Sequence, residues 1–387
     1  MGLETWCCLQ DRNVSAAANT LGIFPALLLC LAFSLHAEER WKIQYFYDQA
    51  DSVLDIRDLR CPSPQRCIAA GVIEDKSGHV KGATILTTDG GQHWSLSDVK
   101  ERPVSLFLPD ESSGWMVTDR GVWKTEESGR SWKKLEGMKG IVRVYFLDQH
   151  HGFAIGYPKA IYETTDGGDK WTKVAAALKP AGAPEETIYD CIDFLGNQGV
   201  IVGRVITNLD ERYPLWMNPN TARFRRERES PTLLLETSDA GKSWHSSTAA
   251  FLGNITELRF TQDEFAVGLV QYHDYYTLPS ALLKMKLGGR GSQVIFGERD
   301  RAVTDFALLP GGGALIASVE PPGNSNQVPI PGKLRMLRSS NLKVWLEMDA
   351  DYRAVAQRAV IAAPDARHAW VATDTGMILA LTGDEAR

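Results

Sequence analysis

The sequence predicts an all-β protein, a seven-bladed β-propeller closed by an N-terminal strand. Two observations carry this prediction. An eight-residue pattern, Thr-x-Asp-x-Gly-x-x-Trp, recurs four times, and a pair of short apolar strands recurs ahead of each copy and beyond the last. The copies are Thr87–Trp94, Thr125–Trp132, Thr164–Trp171 and Thr237–Trp244, with Glu127 in the acidic place of the second.

Each copy follows a short apolar run and leads into a polar stretch, which reads as strand, tight turn, strand. The acidic residues Asp89, Glu127, Asp166 and Asp239 can accept hydrogen bonds from the backbone that follows, as in Asx-turns. Gly91, Gly129, Gly168 and Gly241 stand where a tight turn calls for positive φ. Trp94, Trp132, Trp171 and Trp244 can pack over the turn and tie adjacent strands together. These twelve positions are expected to be structural.

The spacing sets the period. Trp94 to Trp132 is 38 residues and Trp132 to Trp171 is 39, close to the roughly 40–50 residues of one four-stranded blade. Trp171 to Trp244 is 73 residues, so the fourth unit carries an insertion at about 207–231. Unit openings fall near residues 53, 104, 142, 188, 255, 303 and 357, which makes seven; six or eight is the alternative, because the last three units are degenerate. Ser339–Trp345 reads as a decayed copy lacking the glycine. The last unit stops after Ile378–Leu381, and Trp41–Tyr47 is a strand-like run able to complete it. Such closure removes exposed sheet edges.

One stretch extends the pattern: Phe153-Ala154-Ile155-Gly156 runs into Ile161-Tyr162-Glu163-Thr164-Thr165-Asp166-Gly167-Gly168. The motif is the Asp-box, or bacterial neuraminidase repeat, and in this longer form the chain resembles the photosystem II stability and assembly factor family of plants and cyanobacteria, with its relatives in non-photosynthetic bacteria. The resemblance covers Val53 to Trp244 well and the remainder as blade outlines. It implies a seven-bladed propeller that, in oxygenic phototrophs, assists assembly of the photosystem II reaction centre. It also implies an arginine patch on one face, to which Arg57, Arg60, Arg143 and Arg204 are candidates. Fold alone leaves function open, since a propeller is a scaffold for many activities.

At 387 residues, 44% hydrophobic and 23% charged, the chain suits one folded propeller. A net charge of −6 argues against general nucleic-acid binding. Residues 1–37 are expected to be a signal peptide or N-terminal anchor: Leu21 to Leu35 is an apolar run of secretory length, with cleavage near Ala37. Leu29-Cys30 lacks the small residue of a lipoprotein signal. The propeller then spans 38–387, exported to a periplasmic or secreted location, with anchoring as the alternative. Cys61 and Cys67 flank a five-residue turn and are expected to form a disulfide in that compartment, free thiols being the alternative. Cys191 reads as a buried thiol.

Sialidases also carry Asp-boxes, but the Phe/Tyr-Arg-Ile-Pro segment that supplies their carboxylate-binding arginine is absent. Acidic pairs such as Asp55/Asp58 and Glu185/Glu186 read as solvated turns, and glycoside hydrolysis needs two carboxylates at a defined separation. No phosphate-binding glycine loop or Ser/His/Asp signature occurs, and His150-His151 has no third ligand nearby, so neither catalytic residue, cofactor nor metal is expected.

Binding of a protein partner, as a subunit of a membrane complex, is therefore the leading reading, with a glycan-binding or glycan-cleaving propeller as the alternative. The insertion holds Arg212, Arg223, Arg225, Arg226 and Arg228 beside Tyr213, Trp216 and Phe224. Arginine and aromatic residues together are enriched at interface hot spots. Tyr272–Tyr276 forms a second aromatic loop.

Overall fold

The computed structural model describes residues 39–206, 230–263, 265–272, 278–286, 288, 291–321, 323–325 and 328–383. By contact the chain divides into 1–37 and 38–387, and all the described residues belong to the second unit.

Five four-stranded antiparallel sheets follow one another along the chain. The first holds Ser52–Ser63, Arg66–Asp75, Val80–Thr87 and Ser95–Val99. The second holds Pro103–Phe107, Gly114–Thr118, Gly121–Thr125 and Lys133–Lys134. The third holds Ile141–Phe146, Gly152–Gly156, Ala160–Thr164 and Thr172–Lys173. The fourth holds Thr187–Leu195, Gln198–Val205, Ser230–Thr237 and His245–Phe251. The fifth holds Gly253–Phe260, Phe265–Tyr272, Ser280–Lys286 and Ser292–Phe296.

The remaining long strands join in one nine-stranded sheet. One run is Ala302–Leu308, Ala314–Val319, Gly332–Ser339 and Leu346–Ala350, with Val355–Ala356 attached to its third strand. The other is Ala359–Ala362, Trp370–Thr373 and Met377–Thr382, completed by Arg40–Phe46. That N-terminal strand lies antiparallel to Met377–Thr382, from Arg40 opposite Thr382 to Phe46 opposite Met377. It pairs with the other run through two parallel positions, Arg40 with Asp349 and Trp41 with Ala350, while buried Trp41 packs in one cluster with Leu315 and Met336. The expected closure by an N-terminal strand is therefore in place.

Burial explains which residues occupy which strand. The second strands, such as Gly114–Thr118 and Gly152–Gly156, are buried along their whole length. They are accordingly near-continuous apolar runs rather than alternating ones. The fourth strands, such as Ser95–Val99 and His245–Phe251, face solvent and are polar. Between successive sheets lie apolar clusters, for example Phe153, Tyr189, Phe194, Leu233 and Trp244. Burying each such side chain contributes about 1.5–3 kcal/mol.

The repeated turns carry a bonding scheme richer than the acidic residue alone. In the third sheet the Thr164 hydroxyl donates to Asp166 Oδ1 at 2.9 Å and accepts the Gly168 N–H at 2.9 Å. Asp166 Oδ1 also accepts the Lys170 N–H at 2.9 Å. The same set recurs at Thr87/Asp89/Gly91/His93 and Thr237/Asp239/Gly241/Ser243. Glu127 instead takes the Ser131 hydroxyl at 2.6 Å. In the decayed copy Asn341 Oδ1 accepts the N–H groups of Lys343 and Val344, and Leu342 occupies φ 59°.

The box glycines have a second role that spacing does not reveal. Each lies against the second strand of the preceding sheet. A Cβ on Gly129 would stand 2.4 Å from Ile68 Cδ1, and one on Gly241 would stand 2.2 Å from Phe153 Cζ. Gly168 faces Trp115, and Gly91 faces Trp370 beside Gln44 of the N-terminal strand. The motif thus fastens sheet to sheet as well as strand to strand.

Candidate binding site along the central axis

The opening strands of all the sheets converge on one cavity of about 430 Å³, lined from Arg60, Phe107, Arg143, Asp193, Glu257, Ala307 and Ile361 outward. Six opening strands slip register against their neighbours at the same point, a β-bulge that re-aims the residues after it. The slips fall between Ile56 and Asp58, Pro103 and Ser105, Ile141 and Arg143, Tyr189 and Cys191, Ile255 and Glu257, and Val303 and Asp305. The first residue past the slip is polar in every case but Cys191.

Across this axis Arg143 of the third sheet reaches Glu257 of the fifth in a bidentate pair, Nη1 to Oε2 at 2.8 Å and Nη2 to Oε1 at 2.7 Å. Arg259 Nη2 stands 3.0 Å from Asp305 Oδ1 and 3.8 Å from Glu257, and its Nη1 donates to the Phe306 carbonyl. Fork-to-carboxylate geometry is the strong form of a charged hydrogen bond. Burial drives the Glu257 carboxyl upward, but the Arg143 charge and hydrogen bonds outweigh it and hold it at about 2. Arg143, desolvated yet facing Glu257, is pushed well above its ordinary value.

Three aspartates stitch adjacent opening strands. Asp58 accepts the Leu59 and Leu106 N–H groups at 2.8 and 2.7 Å. Asp193 accepts the Phe260 N–H at 2.7 Å, and Asp305 accepts those of Phe306 and Ile361 at 2.8 and 2.9 Å. Desolvation raises Asp193 to about 6 despite the Phe260 N–H bond. The ring is locked where its last sheet meets its first. Arg358 donates to Asp55 Oδ1 at 2.6 Å and to the carbonyls of Ile56 and Arg57 at 3.0 and 3.2 Å.

Of the four arginines expected on one patch, Arg60 and Arg143 line the axial cavity together. Arg60 Nε donates to the Leu106 carbonyl at 3.2 Å. Arg57 sits instead with Asp55 at 3.2 Å, and Arg204 pairs with Asp190 at 2.9 Å on its own sheet. Residues Arg212, Tyr213, Trp216, Arg223, Phe224, Arg225, Arg226 and Arg228 lie outside the described residues, as do 273–277 of the second aromatic loop. Glu257, Arg259, Asp193 and Arg358 escaped the sequence reading. The signal was there in the opening strands, where Glu257-x-Arg259 and Asp58-x-Arg60 place charge at alternate positions of otherwise buried runs.

Cys61 lines the same cavity and is bonded to Cys67 on the adjacent strand, with Cα atoms 4.1 Å apart, as expected for the pair. Cys191 is a buried free thiol whose Sγ approaches the Ile255 carbonyl at 3.6 Å. Burial raises it well above a free thiol, which makes it unreactive. Among the described residues no group of three His, Cys, Asp or Glu side chains is placed to hold a metal, and no helix is long and apolar enough to cross a membrane.

Residues 134–210 match the family model described as photosynthesis system II assembly factor YCF48. The chain is 28% identical over 170 residues to the photosystem II assembly lipoprotein Ycf48 of Synechococcus sp. (strain CC9902), an alignment covering 38% of this chain and 50% of that protein. The chain thus spans about half the length of that relative. A solved structure of YCF48 bound to D1 peptide superposes with a TM-score of 0.58 at 14% identity, covering 89% of this chain and 97% of the other. The β-propeller domain of the Trilobed protease from Pyrococcus furiosus superposes at 0.52 with 11% identity, covering 86% and 96%. By architecture, then, the chain is a β-propeller, and by sequence it is similar to the photosystem II stability and assembly factor family.

Proposed function

We propose that this protein is a non-enzymatic, exported propeller that binds a subunit of a membrane complex during its assembly, photosystem II where the organism makes one. The observation that carries the reading is the family match over 134–210, which contains Arg143 of the axial pair and Arg204 of the fourth sheet. We read the nine-stranded sheet as two blades meeting at the parallel contact of Arg40–Phe46 with Leu346–Ala350, which makes seven blades in all. Residues 1–37 act as a signal peptide or anchor for a periplasmic, secreted or lumenal location. The word lipoprotein in the name of the Synechococcus relative supports such a location.

Arg57, Arg60, Arg143 and Arg204 supply cationic contacts on the body, and Arg212 to Arg228 with Tyr213, Trp216 and Phe224 supply a second set. Guanidinium suits the carboxylates and carbonyls of a polypeptide. A glycoside-cleaving reading has less support. Of the cavity carboxylates, Glu257 is held by Arg143 and Asp193 by the Phe260 backbone, so neither stands free as acid or nucleophile.

The test is affinity purification of the tagged full chain from detergent-solubilised membranes of its source, with mass spectrometry of co-purified subunits. Replacing Arg223, Arg225, Arg226 and Arg228 by alanine is expected to lower recovery of the partner. Unchanged recovery removes the insertion from the contact surface, and turnover in a glycosidase screen contradicts the reading as a whole.

A further inference from the structure

A second cavity, of about 770 Å³, lies away from the axis between the second and third sheets. Its floor is apolar, formed by buried Leu135, Met138 and Ala160. Its rim is cationic: Arg120, Lys134, Lys139 and Lys173 face one carboxylate, Glu136. In a chain whose net charge is −6, this concentration of positive charge runs against the overall balance. Lys134 is engaged, since its amine binds Glu101, which also takes the Thr118 hydroxyl and the Trp123 N–H. Arg120, Lys139 and Lys173 are exposed and form no ion pair among the described residues. Tyr157, 39% exposed, adds an aromatic wall held by its hydroxyl bond to the Glu185 carbonyl at 2.9 Å.

Unlike Lys81, which meets Asp98, and Arg102, which meets Asp119, these three cations share one recess whose lining holds a single carboxylate, Glu136. Three unpaired cations around one recess therefore leave a local potential that favours an anionic ligand. The apolar floor and tyrosine wall distinguish which one. A small inorganic anion would gain nothing from Leu135 and Met138. A peptide places a hydrophobic side chain in the recess while its carboxylates meet the rim, the arrangement of apolar centre and polar border common to protein interfaces. We propose that the groove between the second and third sheets is a docking site for an acidic peptide segment of a protein partner, one with an apolar residue flanked by Asp or Glu. The site shares no lining residue with the axial cavity and does not depend on what that cavity binds.

The experiment measures fluorescence polarisation of the full chain with a labelled peptide, Glu-Asp-Phe-Glu-Asp, and with its amide counterpart Gln-Asn-Phe-Gln-Asn. The acidic peptide is expected to bind, and the amide peptide to bind at least about tenfold more weakly. The triple variant Arg120→Ala/Lys139→Ala/Lys173→Ala, checked for an unchanged melting temperature, is expected to lose binding by a similar factor, whereas Lys81→Ala, on the first sheet and away from both cavities, keeps it. If the triple variant unfolds, the single Lys173→Ala variant serves and is expected to weaken binding severalfold. Equal binding of the two peptides, full binding by the variants, no binding at all, or complete displacement by millimolar inorganic phosphate overturns the proposal. None of these results bears on recovery of a membrane subunit in the purification above.

Discussion

Arg143 and Glu257, 114 residues apart in sequence, meet face to face across the propeller axis in a bidentate ion pair. They come from the third and fifth sheets, so the pair ties together two sheets that are not neighbours along the chain. Only 22% and 18% of their side-chain surfaces are exposed. Water therefore screens the pair little, and each charge depends on the other. Glu257→Ala is expected to destabilise the fold by about 3 kcal/mol, because it leaves a buried guanidinium without its bidentate partner. The double variant Arg143→Met/Glu257→Leu should recover most of that loss. Urea denaturation midpoints check both, and a single variant as stable as the parent contradicts the pairing.

Asp193 gives the stability a pH dependence of the less usual sign. Its folded value of about 6 lies above the unfolded carboxylate value near 4, so the folded state holds the proton more tightly between those limits. The stability this contributes is present below about pH 4 and is lost as pH rises to about 6. Glu257, held at about 2, works oppositely, and its contribution disappears as pH falls from about 4 towards 2. Asp193→Asn is expected to abolish the decline between pH 4 and 6, raising stability at pH 7 by about 2 kcal/mol. Denaturation at pH 4.5 and 7 in parent and variant measures it. Arg259, Glu257 and Phe260 face this carboxyl, so Asp193→Asn has to be read with them intact.

The box glycines should be far less tolerant than other glycines with the same backbone. Gly129 and Gly137 both have positive φ, 77° and 96°, but only Gly129 faces a neighbour, Ile68, while Gly137 faces open space. Gly137→Ala is expected to cost about 1 kcal/mol from backbone strain alone. Gly129→Ala should cost about 2–3 kcal/mol, since strain and overpacking add. Equal melting temperatures would show that the turn does not fasten the second sheet to the first.

The Cys61–Cys67 disulfide closes only a short loop, because six positions separate the two residues. The expected loss for Cys61→Ser/Cys67→Ser is about 2 kcal/mol on chain-entropy grounds. A melting temperature unchanged by the substitution, in protein shown to be oxidised beforehand, contradicts that value.

Much of the fold was legible because local chemistry repeats. The Thr-x-Asp-x-Gly-x-x-Trp turns announce themselves through residue types that only such turns require, and the degenerate copy at Asn341 keeps enough of them to be recognised. The strand Trp41–Tyr47 was legible because the last unit visibly lacked a partner. The axial site was harder. Which opening-strand residue faces the axis depends on a one-residue register slip, and a slip reverses every side chain beyond it. Arg143 stands out in the sequence as a candidate cation, but its partner Glu257 lies too far along the chain for spacing to find. Arg204 was expected with Arg143 and instead found Asp190, because the adjacent strand offered an acid nearer than the axis. The groove at Arg120, Lys139 and Lys173 is hidden for a related reason: its rim is assembled from two sheets, and these three residues lie far apart in the chain.

The most direct measurement is recovery of partners from source membranes with the full chain as bait. Co-purification of a reaction-centre or other membrane-complex subunit, lost on substitution of the candidate arginines, is the predicted result. A propeller that recovers no such subunit yet hydrolyses a glycoside, with turnover abolished by changing one cavity carboxylate, would contradict the account.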